Sequence, residues 1–185
     1  MGGTRRVPND PRRRERILDA ALDVIAANGV HRTTHRRIAE RAGVPLGSLT
    51  YYFGGLDELL EQAFARLSEH MSQWYQAALD GARDQDEACE AVADLICGQE
   101  YVSSRETVLI IEMYSYAQHS PGVAALGRQW LLRSRNSLSA HFSEPACRAI
   151  DALIEGWPIH RAFDEGPPDR ATVLAAVRAI ARHVR

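Results

Sequence analysis

Residues 42–59 read AGVPLGSLTYYFGGLDEL, a stretch with four glycines, one proline and two adjacent tyrosines. Helix-like apolar spacing flanks it on both sides. Glycine and proline cost about 1 and 3 kcal/mol in a helix interior, so the chain must leave one helix here and start another within a few residues. Upstream, Ile17, Leu18, Ala21, Leu22, Ile25 and Ala26 share one face of a first helix. Asp10 and Pro11 supply its N-cap and first-turn pair, and Asn28-Gly29 ends it. Thr34 caps a short second helix that buries Ile38, Ala39 and Ala42 and breaks at Gly43. A short third helix starts near Pro45, buries Leu49 and Phe53, and stops at Gly54-Gly55. Two short helices joined by a tight glycine turn, resting on a longer first helix, make a helix-turn-helix. In that motif the second helix enters the DNA major groove.

Charge follows the same division. Residues 1–55 carry ten arginines against five acids, a net +5, while residues 56–185 carry twelve against nineteen, a net −7. The whole chain, at −2, hides a basic head on an acidic body, and a basic head points to a polyanionic partner. All 22 basic residues are arginine, which reads as codon bias in a GC-rich genome. The 185 residues allow one domain or two small ones. No apolar run is long enough to span a membrane, and no apolar segment follows MGGTRR as an export signal requires. Cys89, Cys97 and Cys147 are widely spaced, without zinc spacing or a disulfide framework, and read as small apolar residues in a reducing cytoplasm.

Downstream the periodicity stays helical. A long fourth helix carries Leu56, Leu59, Leu60, Ala63, Phe64, Leu67, Met71, Trp74 and Ala78 on its stripe, with Asp57 and Glu58 in its first turn. Further helices are predicted over 85–101, 104–118, 122–142, 145–164 and 169–184. The reading is all-α with about nine helices in all: a flexible basic arm (1–9), a three-helix helix-turn-helix head (10–55) and a larger C-terminal helical bundle (56–185).

The segment TTHRRIAERAGVPLGSLTYYFGGLDELLEQAF resembles the DNA-binding segment of the TetR family of bacterial transcriptional repressors. The match covers about residues 11–64 and rests on Thr34, Ile38-Ala39, Ala42-Gly43-Val44, Gly47, Leu49, Tyr51, Phe53 and the Asp-Glu-Leu-Leu start of helix four. The resemblance implies an all-α homodimer that binds double-stranded operator DNA and releases it for a small-molecule effector. It implies that Thr34 caps helix two and touches a phosphate, that Arg36 reads a guanine edge, and that Arg37 contacts a phosphate. Pro45, Leu46, Gly47 and Ser48 would face bases, while Thr50, Tyr51 and Tyr52 would position the backbone. The family's usual Ser/Asn-Lys before helix four is Gly55-Leu56 here. That departure predicts modest non-specific affinity and a shallow salt slope.

For the C-terminal domain the resemblance places a dimer interface on the last two helices. The apolar seams there are Ala149, Leu153 and Trp157, then Val173, Val177, Ile180 and Val184, the second with heptad-like spacing. The same seams would serve as intramolecular core. An effector pocket would draw on Met71, Trp74, Tyr75, Tyr101, Glu112, Met113, Tyr116, Trp130, Trp157 and His160, which suits an apolar or aromatic molecule. An aromatic stripe at this spacing is also what a plain core looks like. Glu112 stands out within VLIIEMY, since a carboxylate among apolar neighbours needs a partner. Gly54-Gly55 is a hinge candidate. No cofactor or metal is expected. No Glu-x-x-His pair, P-loop, Gly-x-Ser-x-Gly or His-Glu-x-x-His occurs, which argues against an enzyme. A ligand-free architectural DNA binder and an activator remain alternatives.

Overall fold

The structure is a computed structural model and describes residues 10–98, 104–161, 163–164 and 168–184. Among the described residues it contains nine α-helices, one 3-10 turn and no strand. The basic arm and Tyr101 lie outside the described residues. The chain divides into two compact units, one ending at Ala63 and the other beginning at Phe64. The division falls inside the long fourth helix, two turns after the point where the charge asymmetry places it.

The N-terminal unit holds α1 (Arg13–Asn28), a 3-10 turn (Val30–Arg32), α2 (His35–Ala42), α3 (Gly47–Tyr52) and the start of α4 (Leu56–Asp80). Asp10 Oδ1 accepts the Arg12 N–H at 3.0 Å in a turn ahead of the helix, and Arg12, not the expected Asp10, stands at the N-cap, because regular helix begins only at Arg13. Thr34 accepts the Arg37 N–H at 3.3 Å and caps α2. Gly43 ends α2 at φ 64°, the left-handed region that glycine enters without steric cost. Ile17, Ala21, Ile25, Ile38, Leu49 and Phe53 are all buried and form the small core of this unit. Arg41 joins α2 to α1 through Asp23, at 2.7 and 3.0 Å to one carboxylate oxygen.

The C-terminal unit continues α4 and adds α5 (Gln85–Cys97), α6 (Ser104–Ala117), α7 (Pro121–Leu138), α8 (Glu144–Arg161) and α9 (Arg170–His183). Side-chain caps open three of them: Asp84 for α5, Ser120 for α7 and Asp169 for α9. The buried row of α4 runs Leu67, Met71, Tyr75, Leu79. The sequence stripe instead steps from Met71 to Trp74 and Ala78, yet Trp74 is 39% exposed. Steps of three and four both fit a 3.6-residue period, and the neighbouring helices choose between them. Helix α7 ends at Leu138, four residues before the predicted end, and Ser143 Oγ accepts the Ala146 N–H at the start of α8.

Helix α9 packs chiefly against α5. Val173 and Val177, placed on the sequence's dimer seam, are fully buried within the protomer. Arginines of α9 cover the acids of α5: Arg170 reaches Glu90 and Asp94 at 2.7 Å each, and Arg178 reaches Glu90 at 3.0 Å.

Candidate functional site

The exposed face of α3 follows from where its anchors point. Leu49 and Phe53 are buried, so positions 46, 47, 50 and 51 turn outward on the opposite face. Leu46 is 53% exposed and Tyr51 79%, which is unusual for side chains of that apolar area. Tyr52 is half-buried and meets Tyr51 edge-on, with ring centroids 4.9 Å apart. Pro45 is exposed and Ser48 half-buried. A Cβ on Gly47 would meet nothing within 4 Å, so the packing of this protein gives no reason for a glycine there. The Thr50 hydroxyl donates to the Gly47 carbonyl at 3.2 Å within its own helix.

Three more candidates lie at the start of α2. Thr34 is exposed, and its hydroxyl oxygen serves the cap. The Arg36 guanidinium is 85% exposed and pairs with Glu40 at 3.0 Å. An exposed pair of this kind is worth about 0–1 kcal/mol, so Arg36 can leave it for another acceptor at small cost. Arg37 has a second role that the sequence does not reveal. Its Nη1 donates to the Arg32 carbonyl at 2.9 Å and approaches Asn28 Oδ1 at 3.5 Å, which ties α2 to the 3-10 turn and the end of α1. His35 is half-buried, and its Nε2 is enclosed without a partner.

The Gly54-Gly55 pair is braced. Glu58 Oε2 accepts the Gly54 N–H at 2.7 Å, and Glu58 Oε1 accepts from Gln62 at 2.7 Å. Gln62 in turn receives the Arg14 guanidinium, which lies 5.7 Å from the centre of the Phe53 ring. A Cβ on Gly54 would come within 2.8 Å of Glu58 Oε2, so a glycine gives this contact its room.

Three of the effector candidates share a small cavity among the described residues. Met71, Tyr75 and Trp130 line a space of about 10 Å³ with Ser72, Arg133, Ser134 and Ser137, room for a single water. Met113 is fully buried core, and Tyr116 packs on Phe64 with ring centroids 6.3 Å apart. Trp74 and His160 face outward, and Trp157 and Glu112 are half-buried. Beside the small cavity an open groove of about 460 Å³ runs between α4 and α7, lined by polar residues such as Gln73, Gln76, Asp80 and Asn136. Arg133 bridges its walls to Glu69 at 2.7 Å.

Sequence reasoning missed a buried polar cluster on α6, α7 and α8. Asp151 is 2% exposed and accepts from the Ser134 hydroxyl and from Arg135, the latter at 3.1 Å. Burial raises its carboxyl above the ordinary range, against the pull of those two donors. One turn on, Glu155 Oε2 accepts the Tyr114 hydroxyl at 2.5 Å. Burial pushes the Glu155 carboxyl up to about 7, opposed by the Tyr114 hydrogen bond and Arg135. The available signal was Asp151 itself, which interrupts the apolar row Ala146, Cys147, Ile150, Ile154 of α8.

A capped, glycine-turned helix pair with an outward aromatic face, on a chain with a second all-helical unit, defines a helix-turn-helix DNA-binding regulator. The model of the family described as "Bacterial regulatory proteins, tetR family" matches residues 17–63. The chain belongs to that family and is a DNA-binding transcriptional regulator. Among solved structures, SCO7518 from Streptomyces coelicolor A3(2), described as a candidate transcriptional regulator, is 47% identical. That likeness covers 93% of this chain and 99% of that one, with a TM-score of 0.85. The multidrug binding protein EbrR complexed with ethidium is 27% identical, covers 93% and 99%, and has a TM-score of 0.76. The HTH-type transcriptional regulator BetI of Brucella canis is 26% identical, over 93% of this chain and 91% of its own length.

Proposed function

We propose that this chain is a cytoplasmic homodimeric repressor that reads a roughly palindromic operator and releases it when a small molecule binds the C-terminal unit. One observation carries the DNA reading. Helix α3 turns Leu46, Gly47, Thr50 and Tyr51 outward while Leu49 and Phe53 anchor it from behind. In this reading Arg36 contacts a base edge. Thr34, Pro45, Ser48, Tyr51 and Tyr52 meet phosphates, sugars or bases, and Arg37 does so while also bracing α1. The half-buried Ala149, Leu153, Trp157, Ile180 and Val184 support a dimer seam on α8 and α9. EbrR, crystallised with ethidium, supports an effector of aromatic character. Helix α4 belongs to both units, and effector binding would act through it by favouring a dimer whose α3 helices are wrongly spaced for DNA. The named relatives are regulators, which favours a non-enzymatic role.

Selection of bound duplexes from a random pool tests the reading. A two-fold symmetric site is the expected product, and a pool without enrichment would refute it. Arg36→Ala should then relax preference at one base pair per half-site, by about 1–3 kcal/mol. A uniform loss on all sequences would make Arg36 a phosphate contact.

A further inference from the structure

Helix α3 is held by two anchors that lie on a single line. Leu49 and Phe53, four residues apart, stand one above the other on its buried face. Apolar contact has no direction, so these two side chains fix the depth of the helix and leave it able to roll about the line that joins them. The hydrogen bonds within the segment do not resist that roll. The Thr50 hydroxyl donates to the Gly47 carbonyl at 3.2 Å, and the Ser48 N–H to the Pro45 carbonyl at 2.9 Å. Directional ties to other helices stand at the two ends. Ahead of α3, the Val44 N–H donates to the Ala39 carbonyl of α2 at 3.0 Å. Behind it, the Gly54 N–H donates to Glu58 Oε2 of α4 at 2.7 Å.

The rear tie is itself steadied. Glu58 Oε1 accepts from Gln62 at 2.7 Å, Gln62 accepts the Arg14 guanidinium of α1, and Arg14 lies 5.7 Å from the centre of the Phe53 ring. The chain of contacts thus runs from α4 through α1 back to the last anchor of α3, and all its members lie in the N-terminal unit. The glycines agree with this use. Among the described residues positive φ occurs at Gly29 and Gly43, so neither Gly54 nor Gly55 serves a left-handed turn. A Cβ on Gly55 would meet nothing within 4 Å, whereas one on Gly54 would stand 2.8 Å from Glu58 Oε2. The pair that the sequence marks as a hinge therefore contains one glycine explained by the carboxylate beside it.

We propose that Glu58 is a positioning residue for sequence reading, which sets the roll of α3 by holding the Gly54 amide. The proposal rests on α3 as the reading helix. Glu58 acts through the Gly54 amide and reads no base itself. Base-edge hydrogen bonds weaken steeply as their angles fall, so a helix that rolls loses discrimination between bases. Contacts to phosphates carry no sequence information, and long side chains follow the roll to keep them. Loss of the tie therefore lowers affinity for the operator and spares affinity for other duplexes. The tie needs an acceptor and not a charge, since the neutral carbonyl of glutamine also accepts an N–H.

The test measures the affinity of the full chain for its selected operator and for a random-sequence duplex, at one salt concentration, and takes their ratio. Glu58→Ala should lower that ratio by about tenfold, the cost of one mismatched base pair. Glu58→Gln removes the same charge, keeps the acceptor and should keep the parent's ratio. Both variants should melt within about 4 °C of the parent, because exposed polar contacts add little to stability. An unchanged ratio in Glu58→Ala, or an equal fall in Glu58→Gln, overturns the proposal. So does an equal change on the two duplexes, which would make Glu58 a repulsive charge near phosphate. Should Glu58→Ala not fold, two alanine variants of the glycines decide. Gly54→Ala crowds Glu58 Oε2 off the amide, while Gly55→Ala adds a Cβ in open space. The ratio should fall in the first alone, and equal effects would make the pair a plain hinge and overturn the proposal. A parent that selects no DNA removes the α3 reading and this inference with it. A parent that selects DNA, with variants that keep its ratio, removes this inference alone.

Discussion

Replacing Glu155 by glutamine should stabilise the protein, and increasingly so as pH rises. Burial raises this carboxyl from 4.5 to about 7 in the folded chain. Between those values the unfolded chain has lost the proton and the folded chain keeps it. Stability therefore drains away as pH climbs, with no loss below 4.5 and full loss above 7. A difference of roughly 2.5 pH units at 1.36 kcal/mol each comes to about 3 kcal/mol. Glutamine carries no charge to desolvate and its carbonyl still accepts from Tyr114, so the variant escapes the penalty. Asp151 is shifted in the same direction, but it is present in both proteins and largely cancels in the difference. Thermal melts of both proteins at pH 5, 6, 7 and 8 measure the effect. For a chain of this size about 3 kcal/mol corresponds to roughly 6–12 °C, and the gap should widen from pH 5 to pH 7 and level off by pH 8. A gap that stays constant with pH would refute the reasoning, because a packing effect of the amide has no reason to titrate.

Three further outcomes follow from the geometry. Gly43→Ala should cost about 1–2 kcal/mol in a denaturant melt, entirely from the left-handed backbone, since an added Cβ there meets no atom within 4 Å. Arg37→Ala should lower the melting temperature as well as DNA affinity, because the guanidinium braces the Arg32 carbonyl, whereas Arg36→Ala should leave the melt unchanged. Val177→Ala should destabilise by roughly 2 kcal/mol with no change of oligomeric state in sedimentation, as its side chain is fully buried within the protomer.

The head was legible because each of its signals is local. Thr34 caps within its own turn, Gly43 owes its φ to its own backbone, and Leu49 and Phe53 fix the outward face of α3 by spacing alone. Arg37 was only half legible: its exposure follows from helical phase, but its bond to Arg32 depends on where a different turn comes to rest. In the C-terminal unit the same kind of signal gave weaker answers. Trp74 and Tyr75 are adjacent and equally apolar on paper, yet one is 39% exposed and the other 3%.

Sequence alone determined the helices, the Thr34 cap and the outward face of α3, since those depend on interactions within a few residues of chain. Tertiary structure decided which column of α4 is core, that Val173 and Val177 are enclosed within the protomer, and that burial shifts the Glu155 carboxyl toward neutrality. Each of those outcomes depends on residues dozens of positions away arriving alongside, and an apolar stripe does not specify what will cover it.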